Sequence, residues 1–230
     1  MSGDPVSGRP VPRYRDRMAE AATAAPPVPP DPLAPPVPPP VVLESGRRLA
    51  RLTVDQYHDL IAAGILGSDS RIELLDGLLV EKMPKSPLRT AVLKLILRRL
   101  GELPSDGFHL AQEAPVTLHS QDSEPEPDVA IIRGQITDYL AAHPAPTDVL
   151  LLIEVANTSL RKDLRNAARY AVAGIERYLV VDVVAETFTL HEQPTAEGYR
   201  DARTVEEVAI GVDGDVIGTL SRTDAFPNVA

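Results

Sequence analysis

Three acidic residues lie in contexts where an apolar strand pattern predicts no charge. Asp128 begins the run Asp-Val-Ala-Ile-Ile, Glu154 stands within Leu-Leu-Leu-Ile-Glu-Val-Ala, and Glu73 lies in Ile-Glu-Leu-Leu. A carboxylate at the end of a buried strand costs free energy unless it is paired, hydrogen-bonded or bound to a metal. If the strands of Asp128 and Glu154 are neighbours, both carboxylates meet at one sheet edge. Such a site offers the hard oxygen ligands that Mg²⁺ and Mn²⁺ prefer.

Each of these acids also has a purely structural interpretation. Asp128 can cap or turn the chain at the start of its strand. Glu154 can form a structural ion pair with Arg161 or Arg165. Glu73 can face solvent from a half-buried strand. The spacing of the residues leaves these alternatives open.

Other reaction chemistries find little support in the sequence. The chain contains no cysteine, which excludes disulfides, zinc–thiolate sites and a thiol nucleophile. No serine stands in a nucleophile-elbow pattern, and no glycine-rich phosphate loop is present. The five histidines are scattered without the spacing of metal ligands, at positions 58, 109, 119, 143 and 191.

Length, charge and hydropathy indicate one mid-sized domain with an appendage. The chain has 230 residues, of which 43% are hydrophobic, and a net charge of −10. Residues 51–230 carry 17 basic and 28 acidic side chains, a net charge of −11, which repels phosphate at long range and argues against nonspecific nucleic-acid binding. No apolar run approaches the length of a membrane helix, and the N-terminus lacks a secretory pattern. We therefore expect a cytoplasmic protein with no membrane association.

Proline divides the chain into two parts. Thirteen of the 23 prolines lie in the first 40 residues, and residues 25–42 are almost entirely Pro, Ala and Val. This composition favours extended polyproline II and predicts a disordered or semi-rigid tail over residues 1–46, followed by a folded domain over 47–230. The tail is either a solvated linker or a ligand for a protein that binds proline-rich segments.

Periodicity and turn signals outline the folded part. Helix caps, an Asp-Gly hairpin turn and buried apolar runs alternate along it, so we predict the α/β or α+β class with a mixed sheet. The predicted helices are 53–63, 86–100, a brief one over 136–142, and 160–173. The predicted strands are a hairpin within 71–82, then 109–118, 128–133, 149–156, 178–184, 187–191 and a last ribbon around Asp213-Gly214.

Several phrases of the sequence resemble one known family. These phrases occur in the order in which that family has them. They are Ile-Glu-Leu-Leu-Asp-Gly from Ile72 with Val-Glu-Lys-Met-Pro from Val80, Gln-Glu-Ala-Pro-Val-Thr-Leu from Gln112, Glu-Pro-Asp-Val-Ala from Glu126, and Ile-Glu-Val-Ala-Asn-Thr-Ser-Leu from Ile153. They are similar to the Uma-two family of restriction endonucleases. The resemblance extends over about residues 52–226 and excludes the tail.

The resemblance implies a restriction-endonuclease-like fold of the PD-(D/E)XK nuclease type, a mixed β-sheet flanked by helices with a metal-binding edge. Asp128 then corresponds to the Asp of the Pro-Asp motif and Glu154 to the second acid, both as metal ligands, and Glu73 to an additional family glutamate. Such carboxylates hold Mg²⁺ or Mn²⁺ at a scissile phosphate, so DNA is the implied substrate. A homodimer is a further implied possibility.

The sequence departs from the family pattern at the lysine. Ala156 stands two residues after Glu154 where lysine is usual, and Asn166 occupies the alternative position on the following helix. Lys162 is the nearest lysine and becomes the candidate to replace it. Arg89 also stands where a histidine is frequent.

Two hypotheses follow from these features. The first is a metal-dependent endonuclease that hydrolyses DNA with Asp128, Glu154, Glu73 and Lys162, with weak activity or none because the usual lysine is missing. The second is a catalytically degenerate nuclease fold that serves as a binding or regulatory module. The retained acids favour the first, and the missing lysine and the acidic charge favour the second.

Overall fold

A computed structural model of the chain describes residues 48–67, 70–104, 107–156, 160–212 and 214–227. The side chains of residues 160–164 lie outside this description. The predicted tail and the side chain of the candidate Lys162 therefore fall outside the described residues.

A six-stranded mixed sheet forms the centre of the described part. Its strand order is β3-β4-β5-β6-β7-β8. All neighbouring strands are antiparallel except β5 and β6, which are parallel and joined by helix α3. The bounds are β3 Phe108–Gln112, β4 Val129–Arg133, β5 Val149–Ala156, α3 Leu160–Val172, β6 Arg177–Asp182, β7 Thr187–Thr195 and β8 Gly198–Val205.

Further helices and two hairpins complete the described part. They are α1 Val54–Ala62, the hairpin β1 Ile72–Leu75 and β2 Leu78–Glu81, α2 Pro87–Leu100, the hairpin β9 Glu207–Val212 and β10 Asp215–Ser221, and α4 Arg222–Ala225. Three short 3₁₀ turns lie at His119–Gln121, Ile136–Tyr139 and Pro146–Asp148. In the part of the chain that the structure describes, no helix is both long and apolar enough to span a membrane.

Strand alternation sorts the apolar side chains of the central sheet into two cores, one on each face. Ile131, Ile153 and their equivalents on β6 pack with α2 and the β9–β10 hairpin on one face. Ala130 and Leu152 pack with α3 on the other face. The strand β5 therefore lies between helix α2 on one face of the sheet and helix α3 on the other.

The backbone geometry of the β1–β2 turn accounts for the Asp-Gly pair at this position. Asp76 and Gly77 both have positive φ, +52° and +76°, which is the geometry of a type I′ turn and the reason that Asp-Gly suits it. A Cβ at Gly77 would lie 2.7 Å from Cβ of Arg51. The Asp76 amide donates to Ser123 Oγ at 2.7 Å, so the turn is fixed to the loop before β4.

Most predicted elements are present. The short helix α4 was not predicted, and three further differences concern β3, the segment 136–142 and β8. The strand predicted over 109–118 ends at Gln112, because Glu113 takes a positive φ of +50° and Pro115 follows two residues later. The helix predicted over 136–142 is a 3₁₀ turn. Strand β8 was not predicted, since its polar, mostly exposed residues give no apolar alternation.

Candidate active site

Three acidic residues lie side by side at one end of the sheet. Val129 of β4 pairs with Gln112 on one side and Ile153 on the other. The next position along this register holds three acidic residues side by side. Glu113 directly follows β3, Asp128 directly precedes β4, and Glu154 lies in β5. The Glu113 amide donates to the Asp128 carbonyl at 3.2 Å, which fixes the first two in this row. The sheet thus brings together Asp128 and Glu154, which are 26 positions apart in the chain.

A cavity of about 600 Å³ opens at this end of the sheet. The β1–β2 hairpin and the segment after it form one wall, and α3 forms another. Acidic side chains in its lining are Glu73, Glu113, Glu126, Asp128 and Glu154, and basic ones are Arg71, Lys82 and Lys85. Asn166 and Tyr170 of α3 also line it. The third predicted acid, Glu73, therefore faces this cavity together with Asp128 and Glu154, and its Oε2 accepts from the Glu126 amide at 3.3 Å.

Asp128 is buried and its charge is balanced by an arginine. Arg89 Nη2 donates to both carboxylate oxygens of Asp128, at 2.6 and 2.8 Å. Oδ2 of Asp128 also accepts from the Val155 amide at 2.8 Å. Arg89 Nε in turn donates to the Val155 carbonyl at 2.6 Å. These contacts satisfy a carboxylate whose residue is only 2% exposed.

The start of α2 determines where Arg89 lies. The Ser86 hydroxyl caps this helix by accepting from the Arg89 amide at 3.3 Å, and Pro87 occupies the first turn. Val92 and Ile96 bury the same helix in the core. The helix therefore presents the Arg89 side chain to the strand ends. In the sequence, Arg89 is distinctive only as a departure from the family pattern, and its spacing gives no signal of a partner 39 residues away.

Helix α3 contributes Asn166, the residue at the alternative lysine position. Its side-chain carbonyl accepts from Arg169 Nη1 at 2.9 Å. Arg169, 9% exposed, also donates to Asp76 with Nε at 3.3 Å and Nη2 at 2.8 Å. Arg169 thus joins α3 to the hairpin that carries Glu73, and Asn166 supplies a neutral side chain at the cavity.

The hydroxyl of Tyr170 is the polar group with unmet hydrogen-bonding capacity in this cavity. Tyr170 is fully buried, and within the described part of the chain its hydroxyl has no hydrogen-bond partner. Burial raises the pKa of Tyr170 well above its usual value, and the charge of Glu154 adds to this, while Arg169 opposes it. The group is therefore a neutral donor. An unsatisfied buried hydroxyl costs about 1–3 kcal/mol, which a ligand oxygen in the cavity would relieve.

The two lysines of the cavity are paired with its glutamates. Lys85 forms an ion pair with Glu113, and Lys82 forms one with Glu126. Burial opposes ionisation of Glu113, but the hydrogen bond and charge of Lys85 outweigh it and lower the pKa of Glu113. The sequence pattern predicts no role for Lys82, Lys85 or Glu113. Lys82 and Glu113 lie inside the phrases that resemble the family, and this was the available signal.

A second buried acid serves a structural contact outside this cavity. Glu124 is 3% exposed and accepts from Thr117 Oγ1 at 2.7 Å, and His58 Nε2 of α1 lies 2.8 Å from the same oxygen, Oε2. The contact ties α1 to the loop before β4. Glu124 had no role in the sequence analysis, although its neighbours in the Glu-Pro-Asp motif did.

The donor chemistry of the cavity fits a hard divalent cation. Asp128 and Glu154 supply carboxylate oxygens, and Mg²⁺ commonly uses one or two carboxylates together with water and substrate phosphate. Across the residues described, no three His, Asp or Glu side chains form a ready-made metal cage. Among the described residues, the buried Tyr170 hydroxyl has no partner, so it is a further polar group beside these carboxylates.

A mixed sheet flanked by helices, with an acidic cavity at the strand ends, defines a nuclease-like fold. The match to a solved structure agrees with this class: "a putative nuclease belonging to DUF820 from Anabaena variabilis" is similar with a TM-score of 0.56 and 16% identity, over 76% of this chain and 97% of that chain. The chain belongs to the Uma2 family, described as "Putative restriction endonuclease", whose family model matches residues 54–217. Among curated protein sequences, none matches this chain. The sequence-based identification of the family and of the fold class is therefore confirmed.

Proposed function

We propose that this protein is a metal-dependent endonuclease that hydrolyses DNA phosphodiester bonds. The observation that carries the proposal is the position of Asp128 and Glu154. They lie on neighbouring strands, at one end of the sheet, in the lining of one cavity. Family membership supports nuclease activity in general, and this geometry supports the metal-dependent form of it.

The residues of the cavity have distinct roles in this proposal. Asp128 and Glu154 would hold Mg²⁺ or Mn²⁺, which when bound polarises the scissile phosphate and activates a water molecule. Glu73 and Glu113 add acceptors that orient water. The neutral Tyr170 hydroxyl donates to a phosphate oxygen, and such donors are most effective where water is excluded.

Basic residues at the cavity wall would contact the DNA backbone. Arg71, Lys82 and Lys85 form a local basic group in a domain whose net charge is negative. Each phosphate contact by such a residue contributes a salt-dependent term to binding. We therefore expect weak nonspecific binding that depends on these three side chains.

The test is cleavage of supercoiled plasmid with Mg²⁺ or Mn²⁺, without metal, and with EDTA. Asp128→Asn and Glu154→Gln should each abolish metal-dependent cleavage while the far-UV circular dichroism spectrum stays native. Glu197→Gln is a matched acidic control, since Glu197 is exposed in the β7–β8 turn at the far edge of the sheet. Cleavage that survives both acid substitutions would contradict the proposal.

Two observations favour a second candidate, a catalytically degenerate module that binds nucleic acid without cleaving it. Arg89 neutralises Asp128, and Asn166 stands in the cavity wall without the charge of a lysine. Fluorescence anisotropy with a labelled duplex decides between the two candidates. Metal-independent binding that persists in Asp128→Asn, together with no cleavage by the unsubstituted protein, would establish the module.

A further inference from the structure

The guanidinium of Arg89 lies where oxygen donors from two strands converge. It contacts both oxygens of Asp128 at the start of β4 and the carbonyl oxygen of Val155 on β5, at 2.6–2.8 Å. Carboxylate and carbonyl oxygens are also the donors that bind Mg²⁺ and Mn²⁺. These oxygen atoms would suit a metal ion, and the positive charge of Arg89 occupies their place of convergence instead.

The Asp128 carboxylate has little capacity left while Arg89 is bound. Oδ2 already accepts two hydrogen bonds, from Val155 N and Arg89 Nη2, and the side chain of Asp128 is only 3% exposed. An ion at about 2.1 Å from either oxygen would lie close to the guanidinium. Repulsion between a divalent and a monovalent cation is strong at that distance and weakly screened in a buried site.

We propose that Arg89 is an internal cation that competes with the divalent ion for Asp128. Metal binding and the Arg89–Asp128 pair are mutually exclusive, and the ion enters only when the guanidinium withdraws. Arg89 is thus a positioning residue that sets the metal affinity of this chain. The inference rests on the proposed function and adds a residue that regulates the same site.

The first test measures Mn²⁺ binding to the full chain without DNA, by electron paramagnetic resonance and isothermal titration calorimetry. Arg89→Gln keeps a hydrogen-bond donor and removes the charge, and Arg89→His is a second variant with a shorter side chain. We expect both to bind Mn²⁺ at least tenfold more tightly than the unsubstituted protein. Arg177→Gln is the matched control, because it removes a partly buried, ion-paired arginine that does not line this cavity. Its Kd should stay within about threefold of the native value.

The double variant Arg89→Gln/Asp128→Asn tests whether the gain in Mn²⁺ affinity arises at this site. We expect the gain to be lost in this variant. Equal Mn²⁺ affinity in the native protein and both Arg89 variants would overturn the inference and leave the proposed function standing. No Mn²⁺ binding by any of these proteins would overturn both.

A second test needs no substitution of Arg89. In the unsubstituted protein, the Nε–H of Arg89 is hydrogen-bonded to the Val155 carbonyl and should give a protected ¹⁵N NMR signal. Titration with Mg²⁺ should shift this signal and remove its protection from solvent exchange, in proportion to metal occupancy. Occupancy of the site with the Arg89 signal unchanged would show that the two cations coexist and that the inference is wrong.

Discussion

Arg169 Nη2 of α3 lies 2.8 Å from Asp76 Oδ2 in the β1–β2 turn, 93 residues earlier in the chain. This contact fixes the hairpin that carries Glu73 against the helix that carries Tyr170. Two walls of the cavity are therefore held together by one ion pair. The relationship also gives Asp76 a role beyond its turn.

Asp76→Asn tests this role with little disturbance of the turn, because Asn-Gly also adopts the type I′ geometry. We expect the free energy of unfolding to fall by about 1 kcal/mol, a modest value because Asp76 is partly exposed. Urea unfolding measures it. Arg169→Met in the Asp76→Asn background completes a double-mutant cycle, and additive effects would show that the ion pair is not energetically coupled.

The Arg89–Asp128 pair predicts a large loss of stability when either partner is removed alone. Clustered carboxylates by themselves predict that Asp128→Asn relieves repulsion, but the bound guanidinium reverses this expectation. Asp128→Asn and Arg89→Met should each cost about 3 kcal/mol, since each leaves a buried group without its partner. The double variant should cost at least about 1 kcal/mol less than the sum. Thermal and urea denaturation of the four proteins provide the cycle, and a stabilising Asp128→Asn would contradict it.

Tyr170→Phe separates stability from ligand binding. Because the hydroxyl has no partner among the described residues, its removal should raise the free energy of unfolding by about 1–3 kcal/mol. Metal-dependent cleavage should fall about tenfold, since a donor to the substrate is lost. Tyr178→Phe is the matched control, because Tyr178 is equally buried, packs beside Tyr170 and does not line the cavity. A destabilised Tyr170→Phe protein would reveal a structural role instead.

The burial of His191 predicts that the free energy of unfolding depends on pH, independently of the groups in the cavity. Burial between the rings of Tyr178 and Tyr199 lowers the pKa of His191 below its ordinary value of 6.5. As pH falls through 6.5, the unfolded chain takes up a proton that the folded chain does not, so stability falls with pH until the folded pKa is reached. His191→Gln should flatten this part of the curve. An unchanged slope in His191→Gln would be the contrary result.

Lys85 and Lys162 are the two candidates for the positive charge that the usual lysine supplies. Lys85 lines the cavity with Asp128 and Glu154, whereas the Lys162 side chain lies outside the described residues. We expect Lys85→Met to lower the cleavage rate about 100-fold with Mn²⁺ binding retained, and Lys162→Met is made in parallel for comparison. Single-turnover rates and calorimetry measure the two quantities. A larger loss of cleavage in Lys162→Met than in Lys85→Met would place the functional lysine on α3.

The sequence by itself determined the local elements and the family. The Asp-Gly turn, the Ser-Pro cap of α2 and the apolar run of β5 are encoded by neighbouring residues, so patterns predict them. The phrases around Asp128 and Glu154 likewise carried the family resemblance that the match over residues 54–217 confirms. Local signals failed at β8 and after Gln112, where polar composition and a positive φ at Glu113 replace the expected alternation.

Only the tertiary structure decided which charges meet. The register of β3, β4 and β5 aligns Glu113 with Asp128 and Glu154, and α2 brings Arg89 to Asp128 across 39 positions of sequence. Side-chain type and spacing along a strand do not specify a partner on another element, because strand register and helix packing set that distance. Arg89 could therefore be read in the sequence only as a substitution, and its pairing with Asp128 follows from the fold.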